Sequence, residues 1–168
     1  MTIAVLGSIN MDVTAYMYRL PKPGETLHGK DYIVGLGGKG ANQAVAARKL
    51  GSDVAFIGRI GADDFGKGAE RALASYGLDL SLIRKDEDGA TGIAIINVGE
   101  GGENYISVVA GSNFRVDLSD VEAGRAALEK AKVLLLQLEV PLEASLAAAA
   151  IVRAHGGTVI LDPAPAKD

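Results

Sequence analysis

The sequence predicts an α/β domain, with a mostly parallel sheet wrapped by helices and a small antiparallel β-sheet inserted into it. Short apolar runs at 3–7, 54–57, 133–138 and 158–161 read as strands buried on both faces. Helical patterns separate these runs, as right-handed crossovers between parallel strands require. Segments near 13–18, 28–34, 90–98 and 103–110 are more exposed in pattern, and no helix lies between the members of each pair. They form an inserted lid over about 12–36 and 90–110.

Ile3–Gly7 opens the chain as a buried strand. Val13, Ala15 and Met17 then alternate with Thr14, Tyr16 and Tyr18, a half-exposed strand. Pro21, Pro23 and Gly24 break the chain before a second exposed strand over His28–Val34. Ala41, Ala44, Val45 and Leu50 share one helical face, and Gly51 follows as a stop. After the strand Val54–Ile57, Asp63 caps a helix over Asp64–Tyr76 that Gly77 ends. Ala90–Val98 and Glu103–Val109 flank Gly99–Gly102 as a β-hairpin. Ser119 and Glu122 have capping-box spacing for a helix to about Ala131. Val133–Leu138 is a buried strand, Pro141 suits the first turn of a helix to His155, and Thr158–Leu161 is a further strand. That last strand would be left as an apolar edge, which soluble proteins avoid. The expectation is a partial domain whose remainder lies beyond Asp168; the alternatives are a natural sheet edge, or an edge covered by an oligomer partner.

Composition narrows the chemistry. The chain has 168 residues, 48% of them hydrophobic, with a formal net charge of -4 and no cysteine. A disulfide scaffold, a thiolate zinc site and a thiol nucleophile are therefore excluded. Mild acidity without a basic block argues against nucleic acid as partner. No apolar run reaches the roughly 18 residues that cross a bilayer, and no basic leader precedes the first strand. The reading is a cytoplasmic protein with no membrane partner. His28 and His155 stand alone, without metal-ligand spacing.

Three polar clusters fall at one end of the parallel sheet. Gly35, Gly37 and Gly40 match GxGxxG, but the preceding segment is exposed, unlike the buried strand of a dinucleotide fingerprint. A Walker A loop is excluded, since Gly40 follows Lys39 and Ile33 holds the place of the first glycine. Gly37 and Gly38 admit a ligand close to the backbone, and Lys39 and Asn42 lie on the first helical turn, whose free N–H groups face the same point. Asn10 and Asp12 follow the first strand, where α/β folds place ligands, though such residues also serve as turn caps. Glu139 ends the strand at 133–138, as a ligand acceptor or as a cap of the next helix. Together the three clusters describe one site for a hydroxyl-rich ligand.

The segments Gly7-Ser-Ile-Asn-Met-Asp12, Gly37-Gly-Lys-Gly-Ala-Asn-Gln-Ala44, Ile57-Gly-Arg-Ile-Gly-Ala-Asp63, Ala110-Gly-Ser-Asn113, Leu136-Gln-Leu-Glu139 and Leu161-Asp-Pro-Ala-Pro-Ala166 occur in order along essentially the entire chain. On these the chain resembles the ribokinases of the PfkB-type carbohydrate kinase family. The resemblance implies a ribokinase-like αβα sandwich of which 1–168 is the N-terminal part. It implies that Asp12, with Asn10, Gly37, Gly38, Lys39, Asn42 and Glu139, binds sugar hydroxyls, and that Ala94 and Ile96 line the sugar pocket. It further implies ATP-dependent phosphorylation of the ribose 5-hydroxyl with Mg²⁺ and a monovalent cation such as K⁺, and a homodimer formed through the lid.

The family's Gly-Ala-Gly-Asp segment, which supplies the general base and anion hole, and its Asn-x-x-Glu segment do not occur here. Asp162 also stands where ribokinases usually have Asn. The expectation is therefore a sugar-binding half whose catalytic base, nucleotide site and cation sites lie outside this chain, inactive by itself. Two other classes stay open: a non-catalytic sugar-binding or lid-mediated dimerisation module, and a nicotinamide oxidoreductase that would bind pyrophosphate at the 35–40 glycines.

Overall fold

The computed structural model describes residues 2–166. Its main sheet contains β1 (Thr2–Leu6), β4 (Asp53–Gly61), β5 (Ile83–Asp86), β8 (Val133–Leu136) and β9 (Thr158–Leu161), in the order β5-β4-β1-β8-β9. All four pairings are parallel. Alternation along β1 divides the core. Ile3 and Val5 pack with Phe56 and Ile60 beneath α1 (Lys39–Lys49) and α2 (Asp64–Ser75). Ala4 and Leu6 pack with Ile57 and Leu134 beneath α3 (Leu118–Ala123), α4 (Arg125–Lys130) and α5 (Leu142–Ala154). Helices on both faces of a parallel sheet give the expected three-layer sandwich. Among the described residues, no helix is long and apolar enough to cross a membrane.

The second sheet has the order β3-β2-β6-β7, with β2 (Asn10–Tyr16), β3 (Asp31–Gly37), β6 (Gly92–Val98) and β7 (Asn104–Val109). The expected antiparallel lid is in fact mixed. β2–β3 and β6–β7 are antiparallel, but β2 and β6 pair in parallel from Asn10↔Gly92 to Tyr16↔Val98. Two hairpins separated by residues 38–91 meet through their first and third strands, which run the same way.

Several element boundaries also differ from expectation. β2 begins at Asn10 and β3 at Asp31, so Asn10 and Asp12 are strand residues and not a turn after β1. β5 is additional; its Arg84 and Lys85 hide the apolar signal, as suits a charged edge strand. The cap of α3 is Asp117 with Asp120 in a capping box, in place of Ser119 and Glu122, and the helix breaks at Gly124. A Cβ at Gly124 would lie 2.4 Å from Ile57 Cδ1, so the break lets this segment sit close on the sheet. Pro141 caps α5 from just outside it. β9 is the sheet edge, with Ile160 and Leu161 about half exposed.

One buried ion pair ties β4 to that helical layer. Arg59 Nε donates to Asp120 Oδ2 at 2.7 Å, while Arg59 also reaches Asp117 Oδ2 at 2.8 Å. The Ser119 hydroxyl, then Arg59, hold the Asp117 carboxyl down at about 2. Removing one member leaves Asp120 buried and poorly compensated. Arg59→Met is expected to destabilise the fold by about 3 kcal/mol in denaturant unfolding; a loss below about 1 kcal/mol would contradict this role.

Candidate functional site

The site grows from the C-terminal end of β1, the central strand. Its neighbours β4 and β8 lie on opposite sides, which is where open parallel sheets form a ligand crevice. Gly7 leaves β1 and meets Gly40 of α1 at very close range. A Cβ on Gly40 would lie 2.5 Å from Gly7 C and Ser8 N, so only glycine lets the helix start here. Gly38 has φ 88° and is the α1 N-cap, with no side chain of its own to satisfy the first turn.

Groups from distant segments satisfy it. Lys39 N donates to Glu139 Oε2 at 3.0 Å, Gly40 N to Ser8 Oγ at 3.2 Å, and Ala41 N to Ser8 O at 2.9 Å. Ser8 Oγ in turn donates to Glu139 Oε2 at 2.6 Å. This corrects the expectation that free helix N–H groups face a ligand: the protein itself uses them. Glu139 occupies the anion-favouring helix terminus and caps α1, not the helix after Pro141. The 35–40 glycines therefore offer no open cradle for the pyrophosphate of a nicotinamide cofactor. Gly38 and Gly40 serve the close approach of α1 to the segment between β1 and β2, and the space at Gly37 is taken by Asp12.

The lid supplies the opposite wall. Asn10, Asp12 and Thr14 share one face of β2, while Met11 faces the core. Across the register, Gly92, Ala94 and Ile96 of β6 stand beside them on that face, and Val108 of β7 lies opposite Ala94. Gly37 makes room for Asp12, since a Cβ there would lie 2.0 Å from Asp12 Oδ1. A cavity of about 370 Å³ opens at this junction, lined by Asn10, Lys39, Val108, Asn113, Phe114 and Glu139 among others. Lys39 Nζ stands 3.8 Å from Glu139 Oε1.

The structure thus brings Asn10, Lys39 and Glu139 into one cavity and sets Asp12, Ala94 and Ile96 on the lid face beside it. Gly37 and Gly38 act through packing. Asn42 lies exposed on α1 and outside the cavity lining. Sequence reasoning assigned no role to Ser8, Asn113 or Phe114. The signal lay in Gly7–Asp12 and Ala110–Asn113, whose polar residues become neighbours only when β6 pairs with β2.

Among the described residues, no three His, Asp or Glu side chains converge into a donor set for a metal ion. Burial, and then the negative charge of Glu139, raise the Asp12 carboxyl above its ordinary 3.8. An acid raised in the folded state opposes folding when ionised, and that cost is complete above the raised value. It vanishes as pH falls below 3.8. Asp12→Asn is therefore expected to raise Tm at pH 7, with the gain shrinking towards pH 4. An unchanged or lower Tm at pH 7 would contradict this strain.

Over residues 1–168 the chain matches the family model described as pfkB family carbohydrate kinase. It is 43% identical over 99% of its length to ribokinase of Haemophilus influenzae, covering 54% of that protein. It is 39% identical, again over 99% of its length, to deoxyribokinase of Salmonella typhi, covering 54% of that protein. The solved structure of Arabidopsis thaliana ribokinase complexed with ribose and ATP superposes with a TM-score of 0.86 at 35% identity, over 96% of this chain and 53% of that one. The chain spans about half the length of the curated relatives it matches. It belongs to the pfkB family of carbohydrate kinases.

Proposed function

We propose that the chain forms the sugar-binding part of a ribokinase-type kinase that transfers the γ-phosphoryl group of ATP to the 5-hydroxyl of ribose. One observation carries this reading. The Glu139 carboxylate, the Asn10 amide and the Lys39 ammonium line one cavity, and a second carboxylate, Asp12, stands beside it on the lid face with Ala94 and Ile96. A carboxylate accepts from two adjacent hydroxyls, while the amide and the ammonium donate to hydroxyl oxygens. Buried Ala94 and half-buried Ile96 suit the carbon face of a furanose ring. The relatives named as ribokinase support ribose as the substrate class, and the Arabidopsis complex supports ATP as donor.

In the proposed reaction the sugar oxygen forms a bond to the γ-phosphorus, the bond from that phosphorus to the β,γ-bridging oxygen breaks, and ADP departs. Catalysis of such a transfer rests on positioning and charge neutralisation. The chain's own residues hold the acceptor hydroxyl in place and exclude water beneath the lid. The base that removes the hydroxyl proton, the nucleotide site and the Mg²⁺ and K⁺ sites are assigned to sequence outside these 168 residues. Accordingly, these residues alone are expected to bind sugar without turnover. Half-exposed Ile33, Val34, Ile95 and Val109 on the lid support pairing with a second copy. A cytoplasmic location accords with this substrate.

In the complete protein, Asp12→Ala is expected to abolish ribose binding in calorimetry while leaving nucleotide affinity nearly intact. Unchanged ribose affinity would overturn the assignment. Ribose binding in the complete protein with no ADP formed in the presence of ATP would favour a sugar-binding module instead.

A further inference from the structure

Asn113 follows the lid hairpin and is 1% exposed. It borders the cavity, yet its amide is turned by the backbone. Its Oδ1 accepts from the Ile9 N–H at 2.8 Å, and a backbone N–H can only donate. The other end must then be Nδ2, which donates to Ile9 O at 3.2 Å and to Asn10 Oδ1 at 2.7 Å. That second bond settles Asn10 in turn. With Oδ1 engaged as acceptor, Nδ2 of Asn10 is the end left for the cavity. Gly92 permits the contact: a Cβ there would lie 2.2 Å from both Asn10 Oδ1 and Asn113 Nδ2.

We infer that Asn113 is a positioning residue that reads the backbone at Ile9 and fixes Asn10 as a hydrogen-bond donor to the ligand. The inference rests on the sugar-binding reading and deepens it. Asp12 and Glu139 can only accept when ionised, so a site without an oriented amide would face most ligand oxygens with acceptors. A polyol hydroxyl that donates to a carboxylate needs a donor for its own oxygen, and the Asn113–Asn10 relay supplies one. Burial of Asn113 keeps water from competing for its bonds to Ile9 and to Asn10 Oδ1.

In Asn113→Asp the Ile9 N–H keeps its acceptor, but the new carboxylate oxygen faces two other acceptors, Ile9 O and Asn10 Oδ1. Asn10 is expected to turn over, donating Nδ2 to that oxygen and presenting Oδ1 to the cavity. Solvent exchange of side-chain amide protons, read by NMR on the complete protein without ligand, tests this directly. In the parent, the Asn113 protons should be protected and those of Asn10 exchange fast; Asn113→Asp should protect those of Asn10. The reverse pattern in the parent, or no change in the variant, overturns the inference, and the parent pattern decides alone if the variant does not fold.

Ribose calorimetry adds a second arm. Asn113→Asp should weaken ribose binding at least about tenfold, the worth of one hydrogen bond turned to a repulsive contact. In an Asn10→Ala background it should have almost no further effect, whereas additive losses overturn the relay. A parent that binds no ribose but shows the expected amide pattern refutes ribose as ligand and still supports the orientation set by Asn113.

Discussion

The carboxylate of Glu139 is the joint on which the site depends. Its Oε2 takes hydrogen bonds from Ser8 Oγ and from Lys39 N, so one side chain binds the end of β8 to the loop after β1 and to the first turn of α1. The helix needs this because Gly38 brings no cap of its own, and it tolerates Gly38 because φ 88° is required there. The same negative charge adds to burial in raising the Asp12 carboxyl, so the two acceptors of the site are held together at a cost to stability. Such tension between stability and binding is common where a ligand supplies the missing partners.

The lid is built into this joint and not merely laid over it. β2 turns Met11 to the core and Asn10 to the cavity, with Asp12 on the same face beside it, so one strand both anchors the lid and arms the site. β6 enters the lid from a fastening at Thr91, whose N–H and hydroxyl donate to Asp63 at 2.8 and 2.6 Å, beside the α2 N-terminus. The parallel β2–β6 pairing then carries Ala94 and Ile96 to the side of Asp12 and Thr14. Gly40 marks a place where backbones approach too closely for any Cβ, while Gly7, Gly37 and Gly92 leave room for the side chains of Gln137, Asp12, and Asn10 with Asn113.

Much of this was legible in the chain. Buried parallel strands announce themselves as apolar runs, and Asn10, Asp12, Lys39 and Glu139 declare themselves as polar residues at strand or helix ends. What the sequence hid was pairing. Nothing in residues 13–18 or 90–98 says that they run side by side in parallel, because the register is set by contacts more than 80 residues apart. β5 was masked by Arg84 and Lys85, whose charges belong to an edge. The helix N–H groups looked available because their partners, Ser8 and Glu139, lie 32 and 100 residues away. For the same reason Asn113 had no visible role: its partners Ile9 and Asn10 are over a hundred residues distant.

The most direct measurement is the crystal structure of the complete protein grown with ribose. One pentose is expected in the cavity between β1, β8 and the lid, with hydroxyls within hydrogen-bonding distance of Asp12, Asn10 Nδ2 and Glu139. Ribose bound elsewhere, or the cavity empty at saturating sugar, would contradict the sugar-binding role.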